Sequence, residues 1–344
     1  MSDLFSAPTP PRKPASTAAR PKGQEAEAYD ASAIEVLEGL EPVRRRPGMY
    51  IGGTDESALH HLAAEILDNS MDEAVAGHAN TIDVHLAPNN WLSVRDNGRG
   101  IPVDPHPRFP DRSALEVILT TLHAGGKFSG KAYATSGGLH GVGSSVVNAL
   151  SARMDVEIAR DRTLWQQSYE RGKPVSALQK AGAAPNRRGT QITFQPDPEI
   201  FGTHVFVPSR LYKLCRSKAF LFRGVTIRWS CDPSLLKAGD ETPAEAVLHF
   251  PGGLADSLAD ELGPDAPLLT PFWSGEAPLP PQADGTDNGK VEWAVAFLES
   301  GPASLISYCN TIPTPQGGTH ETGFRNALLK GLRAWGDQRS IKKA

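Results

Sequence analysis

Apolar positions along the chain change period several times, and each change marks an element. From Ser57 to His78, Leu59, Leu62, Ala63, Ile66, Leu67 and Ala74 recur at helical spacing. Gly77 stands where a left-handed residue would end that helix. The next segment, TIDVHLAPNNWLSVRDNG, switches to a period of two. Ile82, Val84 and Leu86, then Leu92 and Val94, flank Pro88-Asn89-Asn90, which predicts a β-hairpin. SALEVILTTLHAGG reads as a second helix, and a further helix runs through SRLYKLCRSKAFLF. DVEIAR, TLWQQSYE, TQITFQP and VTIRWS read as strands. Upstream, SAIEVLEGLEPVRRRPGMYIGG predicts a short helix and then a basic loop closed at Pro47-Gly48. Together these elements predict an α+β fold, with helices on one face of a mostly antiparallel sheet.

The pattern weakens between about 235 and 290, where DPSLLKAGDETPAEA and GEAPLPPQADGTDNGK are polar and rich in Pro and Gly. Beyond lie two strand-like runs, VEWAVAFLES and SLISYCNTIP, and a helix, TGFRNALLKGLRAWGDQ. The expected division is a disordered basic tail over 1–28, one domain over 29–243 and a second over 244–344. The second has only two expected strands and stops just after a helix, so the expectation is a truncated piece of a longer protein. The 344 residues allow two sizeable cores, and a net charge of −4 carries no general signal for polyanions. The three cysteines are too far apart for a zinc pattern or a disulfide framework, which fits a reducing cytosol. No apolar run reaches the ~18 residues of a membrane span, so no membrane partner is expected.

Three stretches carry candidate chemistry. On the first long helix, Glu65, Asp68, Asn69 and Asp72 share one polar face. An ordinary solvated face is the common reason for such a set, yet this helix carries no Lys or Arg to pair the carboxylates. A carboxylate one turn from a carboxamide suits a metal-bound nucleotide: the amide oxygen is a hard ligand for Mg²⁺, and the carboxylate can orient and deprotonate a water. The second stretch is DNGRGIP, Asp96 to Pro102, directly after a strand. Its aspartate can form an Asx turn or accept from an exocyclic amine, and its glycines let backbone lie against a flat ring. The third is GGKFSGKAYATSGGLHGVGSSVVNAL, Gly125 to Leu150, a glycine-rich loop docking onto a helix start. Glycine backbone at a helix N-terminus makes a phosphate cradle. The spacing fits neither a Walker loop nor a dinucleotide fingerprint.

In order and spacing, Glu65-x-x-Asp68-Asn69, Asp96-x-Gly98-x-Gly100 and the lid ending GGLHGVG resemble the motif set of the GHKL ATPases. These comprise type II topoisomerase B subunits, the large heat-shock chaperones, mismatch-repair MutL proteins and histidine kinases. EVLEGLEPVRRRPGMYIG, LHAGGKFSGKAYATSGGLHGVGSSVVNALS and IPTPQGGTHETGFRNAL are similar to the B subunits of bacterial gyrase and topoisomerase IV. AIEVLEGLEPVRRRPGMY, GGKFSGKAY and VEWAVAFL are closer to topoisomerase IV. The resemblance covers residue 29 to the end. It implies a GHKL (Bergerat-type) sandwich followed by a truncated α/β transducer domain. It implies an ATP-operated cytoplasmic clamp that dimerises around double-stranded DNA and works with a topoisomerase IV A subunit through a more C-terminal part. The gyrase B subunit is the alternative, and a chaperone or mismatch-repair clamp a more remote one.

By position, the resemblance makes Glu65 the general base and Asn69 the Mg²⁺ ligand. Asp96 becomes the acceptor for adenine N6, assisted through water by Thr190. Gly100, Ile101 and Pro102 would wall the base, with Ile66, Val94, Ile118 and Ile192 as apolar lining. Lys127 and the backbone of Leu139, His140, Gly141, Val142 and Gly143 would hold the triphosphate. Tyr29 would reach across a dimer to the partner's nucleotide. Arg99 and Arg160 would flank the mouth, where aminocoumarin inhibitors dock in this family. Ala134 stands where some gyrases carry a lysine, so the lid lacks that cation at this position. The family's Gln-Thr-Lys loop does not occur in these residues. The expectation is therefore nucleotide binding with weak turnover and poor dimerisation.

Overall fold

The structure, a computed structural model, describes residues 37–124, 141–280 and 289–339. Among them the helices are α1 (Glu41–Arg45), α2 (Gly48–Ile51), α3 (Glu56–Val75), α4 (Ala114–Thr120), α5 (Gly143–Ala149), α6 (Pro198–Phe201), α7 (Pro208–Leu221), α8 (Leu254–Leu262) and α9 (Thr319–Gln338). The strands are β1 (Thr81–Ala87), β2 (Trp91–Asp96), β3 (Pro105–His106), β4 (Phe109–Ser113), β5 (Ser151–Arg160), β6 (Thr163–Glu170), β7 (Lys173–Pro174), β8 (Gln179–Ala183), β9 (Gly189–Pro196), β10 (Thr226–Cys231), β11 (Glu245–His249), β12 (Trp273–Pro278), β13 (Lys290–Val295), β14 (Tyr308–Cys309) and β15 (Ile312–Pro313).

One large sheet runs in the order β11-β10-β1-β2-β9-β5-β6-β7, with β8 also on β6. Its pairings are antiparallel except β1 with β10, which is parallel. Alternation decides its two faces. Ile82, Val84, Leu86, Leu92, Val94, Val156, Ile158, Ile192, Phe194, Ile227 and Trp229 are buried. Their neighbours Asp83, Ser93, Arg95, Glu157, Gln191 and Thr193 lie on the other, more accessible face. Helices α3, α5 and α7 close the apolar face, resting on β2, β5 and β10. The expected α+β layering is therefore present. The β1–β2 turn places Asn89 and Asn90 at φ 59° and 66°, a conformation asparagine tolerates. α3 begins at Asp55, whose side chain accepts from Ala58 N–H, and Gly77 follows its end at φ 76°.

Three expectations change. The basic run is not a loop: EPVRR and GMYI form α1 and α2. Pro42 opens the first, and Arg44 turns inward, donating to Ala149 O and Asp197 Oδ2, each at 2.7 Å. Its guanidinium thus caps the C-terminus of α5 and pairs a fully buried carboxylate. The second helix ends at Thr120, short of the expected Gly126, with Thr121 already extended. SLISYCNTIP is not one strand but the β14–β15 hairpin, turning at Asn310 and Thr311, both at positive φ. β11 pairs with β10 and so lends an edge strand to the large sheet. No helix among the described residues is long and apolar enough to cross a membrane.

Candidate active site

The polar face of α3 is met by groups from other elements, and those partners explain its residues. Asn69 donates Nδ2 to Ser144 Oγ at 2.9 Å, on the first turn of α5. A Cβ on Gly143 would meet Glu65 Oε2, so the start of α5 and the Glu65 carboxylate lie directly against each other. Lower on the helix, Glu73 Oε2 accepts from Arg99 N–H at 2.9 Å, and its Oε1 accepts from Arg99 Nη2 at 2.7 Å. Asp68 meets Lys218 of α7 at 2.6 Å, and Asp72 is buried. The absence of Lys and Arg within α3 is met by cations from elsewhere in the chain.

Asp96 ends β2 beside this face and is 6% exposed. Its Oδ1 accepts from Gly98 N–H at 2.8 Å and from Thr190 N–H at 3.3 Å. Burial pushes its carboxyl up to about 6. The Gly98 and Thr190 amides oppose that rise, the Glu73 charge adds to it, and a Ser70 hydroxyl bond lowers it. The Asx turn and the acceptor role are therefore compatible, because the turn bond fixes the carboxylate. Ile101 N–H donates to Thr190 Oγ1 at 3.1 Å, and Arg160 Nη1 donates to Gly100 O at 2.9 Å. Gly100 has φ 77°, and a Cβ there would press on Ile158 Cγ2 at 3.1 Å. Gly189, at φ 109°, leaves no room for a Cβ beside Asp96 O.

One contiguous set thus gathers Glu65, Asn69, Asp96, Gly100, Ile101, Gly143 and Thr190, with Arg99 and Arg160 at its edge. Gly141 has φ 59°, and Val142 is half-buried against the core. Ile66, Val94 and Ile192 are wholly inside the core, Ile118 is half-buried and Pro102 is exposed. Tyr29, Lys127, Ala134, Leu139 and His140 lie outside the described residues. Sequence reasoning missed Ser70, Glu73, Ser144 and Gly189. It also missed His61, whose Nδ1 is 3.7 Å from Glu65 Oε1. The i,i+4 spacing of His61 and Glu65 was the available signal. The described residues hold no cluster of His, Cys, Asp or Glu able to bind a metal alone. Asn69 fits Mg²⁺ as one hard oxygen ligand, because that ion commonly takes one or two protein ligands beside phosphates and water.

A family model for histidine kinase-, DNA gyrase B- and HSP90-like ATPases matches residues 54–200, and one for DNA gyrase B matches 257–344. The B subunit of DNA topoisomerase 4 from Bartonella bacilliformis is 56% identical over 322 residues, covering 93% of this chain and 46% of the relative. That of Caulobacter vibrioides is 57% identical over 320 residues, covering 92% and 45%. The B subunit of DNA gyrase from Staphylococcus epidermidis is 45% identical over 318 residues, covering 92% and 47%. The chain therefore spans about half the length of these curated relatives. The 43K ATPase domain of Thermus thermophilus gyrase B, solved in complex with an aminocoumarin, superposes with a TM-score of 0.70 at 38% identity, over 88% of this chain and 75% of that one. By motif, fold and likeness, this chain belongs to the family of bacterial type II topoisomerase B subunits and carries their GHKL ATPase fold.

Proposed function

We propose that the chain binds Mg-ATP against α3 and is the ATP-operated clamp part of a topoisomerase IV B subunit. The observation that carries this is the row of contacts along α3: Glu65 against Gly143, Asn69 on Ser144, Ser70 on Asp96. It puts a carboxylate, an amide and a fixed buried acceptor on one surface. Asp96 takes the adenine amine, Thr190 assists it, and Gly100, Ile101 and Pro102 lie against the ring. Asn69 would ligate Mg²⁺, which neutralises phosphate charge when bound. Glu65 orients and deprotonates the attacking water, with His61 beside it. Gly141, Val142 and Gly143 present backbone to the phosphates; Lys127, Leu139, His140 and Tyr29 join on the strength of their motifs.

In this reading residues 29–243 are the ATPase domain and 244–344 the start of the transducer, whose first strand, β11, is shared with the large sheet. The whole protein works in the cytoplasm with an A subunit, dimerises on ATP and passes one double-stranded DNA through another. Identities of 56–57% to topoisomerase 4 relatives against 45% to a gyrase relative favour decatenation and relaxation over supercoiling. Aminocoumarins would occupy the mouth between Arg99 and Arg160. The test is Glu65→Ala. A base lowers the barrier more than it holds the ground state, so turnover should vanish while nucleotide affinity stays within a few fold. Unchanged kcat in the variant would remove Glu65 from the mechanism.

A further inference from the structure

Lys218 belongs to none of the motifs that mark the site, yet its side chain is only 5% exposed. A buried ammonium needs an opposite charge and hydrogen-bond acceptors, and this one draws them from two separate parts of the chain. Its Nζ lies 2.6 Å from Asp68 Oδ1 on α3 and donates to Thr311 Oγ1 at 3.2 Å in the β14–β15 turn. Asp68 sits on the same stretch of α3 as Glu65 and Asn69. Thr311 has φ 70°, a region that β-branched residues avoid and that glycine or asparagine fill at less strain. A threonine held there points to work done by its hydroxyl. Two residues along α7, Phe220 packs edge-on against Tyr308 of β14, at 5.8 Å between ring centroids. Helix α7 thus touches the hairpin twice while holding α3.

We propose that Lys218 is a positioning residue that couples occupancy of the nucleotide site to the placement of the β14–β15 hairpin. This rests on the nucleotide reading given above. A nucleotide and its cation arriving at Asn69 bring charge to the residue next to Asp68. Asp68 then divides its attraction between that charge and Lys218. The buried ammonium has Thr311 as its other acceptor, so a change at Asp68 is felt at the hairpin. Coupling of this kind is a free-energy difference between two placements and is measured as such.

Cys309, exposed and two residues before Thr311, is a native reporter, whereas Cys215 and Cys231 are buried. The experiment follows the rate at which Cys309 reacts with an aromatic disulfide reagent, with and without a non-hydrolysable ATP analogue. Binding of the analogue is titrated in parallel by calorimetry. In the native chain the analogue should change the rate by at least about threefold. Thr311→Val keeps the branched shape and the backbone strain but removes the hydroxyl. It should keep analogue affinity within a few fold and lose the rate change. Lys218→Met should lose the change as well, and Lys218→Arg should restore part of it, which a packing role alone would not do. A full rate change in Thr311→Val, or tight binding with no rate change in the native chain, overturns the coupling and leaves the nucleotide site standing. Absence of binding in the titration overturns both.

Discussion

Asp96 is held by two backbone amides and is nonetheless costly to ionise. Burial lifts its carboxyl from an ordinary 3.8 to about 6, so the fold binds that proton more tightly than the unfolded chain does. The sign follows directly. Below about pH 4 the carboxyl is protonated in both states and costs nothing. As pH rises through 6 the folded state loses that advantage and keeps the loss above it. At about 1.4 kcal/mol per pKa unit, the ionised form costs roughly 3 kcal/mol of stability at neutral pH. Asp96→Asn should therefore make the ligand-free protein more stable at pH 8, with the gain closing towards pH 4. Denaturant unfolding across that range reads it directly, and an asparagine variant less stable than the native chain at pH 8 would contradict the account. A carboxylate held ionised at neutral pH against its burial is the acceptor that the proposed nucleotide site calls for. Glu65, Asn69 and Asp96 were legible because helical spacing and a strand end place them. Glu73 and Lys218 were not, because their partners, Arg99 and Asp68, are brought to them only by tertiary packing.

At the scale of elements, the start of β9 fixes the turn after β2. Gly189 combines φ 109° with backbone contact to Asp96 and Asn97. An alanine there faces both a disfavoured conformation and a clash with the Asp96 carbonyl. Gly189→Ala should destabilise the fold by about 2–3 kcal/mol and weaken nucleotide binding together with it. The check is a lower denaturation midpoint at unchanged slope; a midpoint equal to that of the native chain would show that the β2–β9 approach is slack. The long helix and the β1–β2 hairpin were readable because each keeps one period over its full length. The α1–α2 pair was missed because Arg44 looks like a surface charge until Asp197 and Ala149 are beside it. The β14–β15 hairpin was missed because its turn uses a threonine where turn chemistry leads one to expect glycine.

For the whole molecule, the order of three motifs along the chain carried the family, while the sheet order did not follow from any local pattern. β1 pairs in parallel with β10, more than a hundred residues away, and nothing in either strand's alternation announces its partner. That pairing nonetheless lets α7 stand beside α3, and the same helix reaches the β14–β15 hairpin through Lys218 and Phe220. The central claim is that this surface binds an adenine nucleotide through Asp96. Its most direct test is calorimetric titration of the native chain and of Asp96→Asn with a non-hydrolysable ATP analogue at pH 7.5. The account predicts one site per chain in the native protein. It predicts affinity roughly 5- to 150-fold weaker in the variant, since a mispaired buried polar group costs ~1–3 kcal/mol. Equal affinity in the two proteins, or no binding by the native chain, would contradict it.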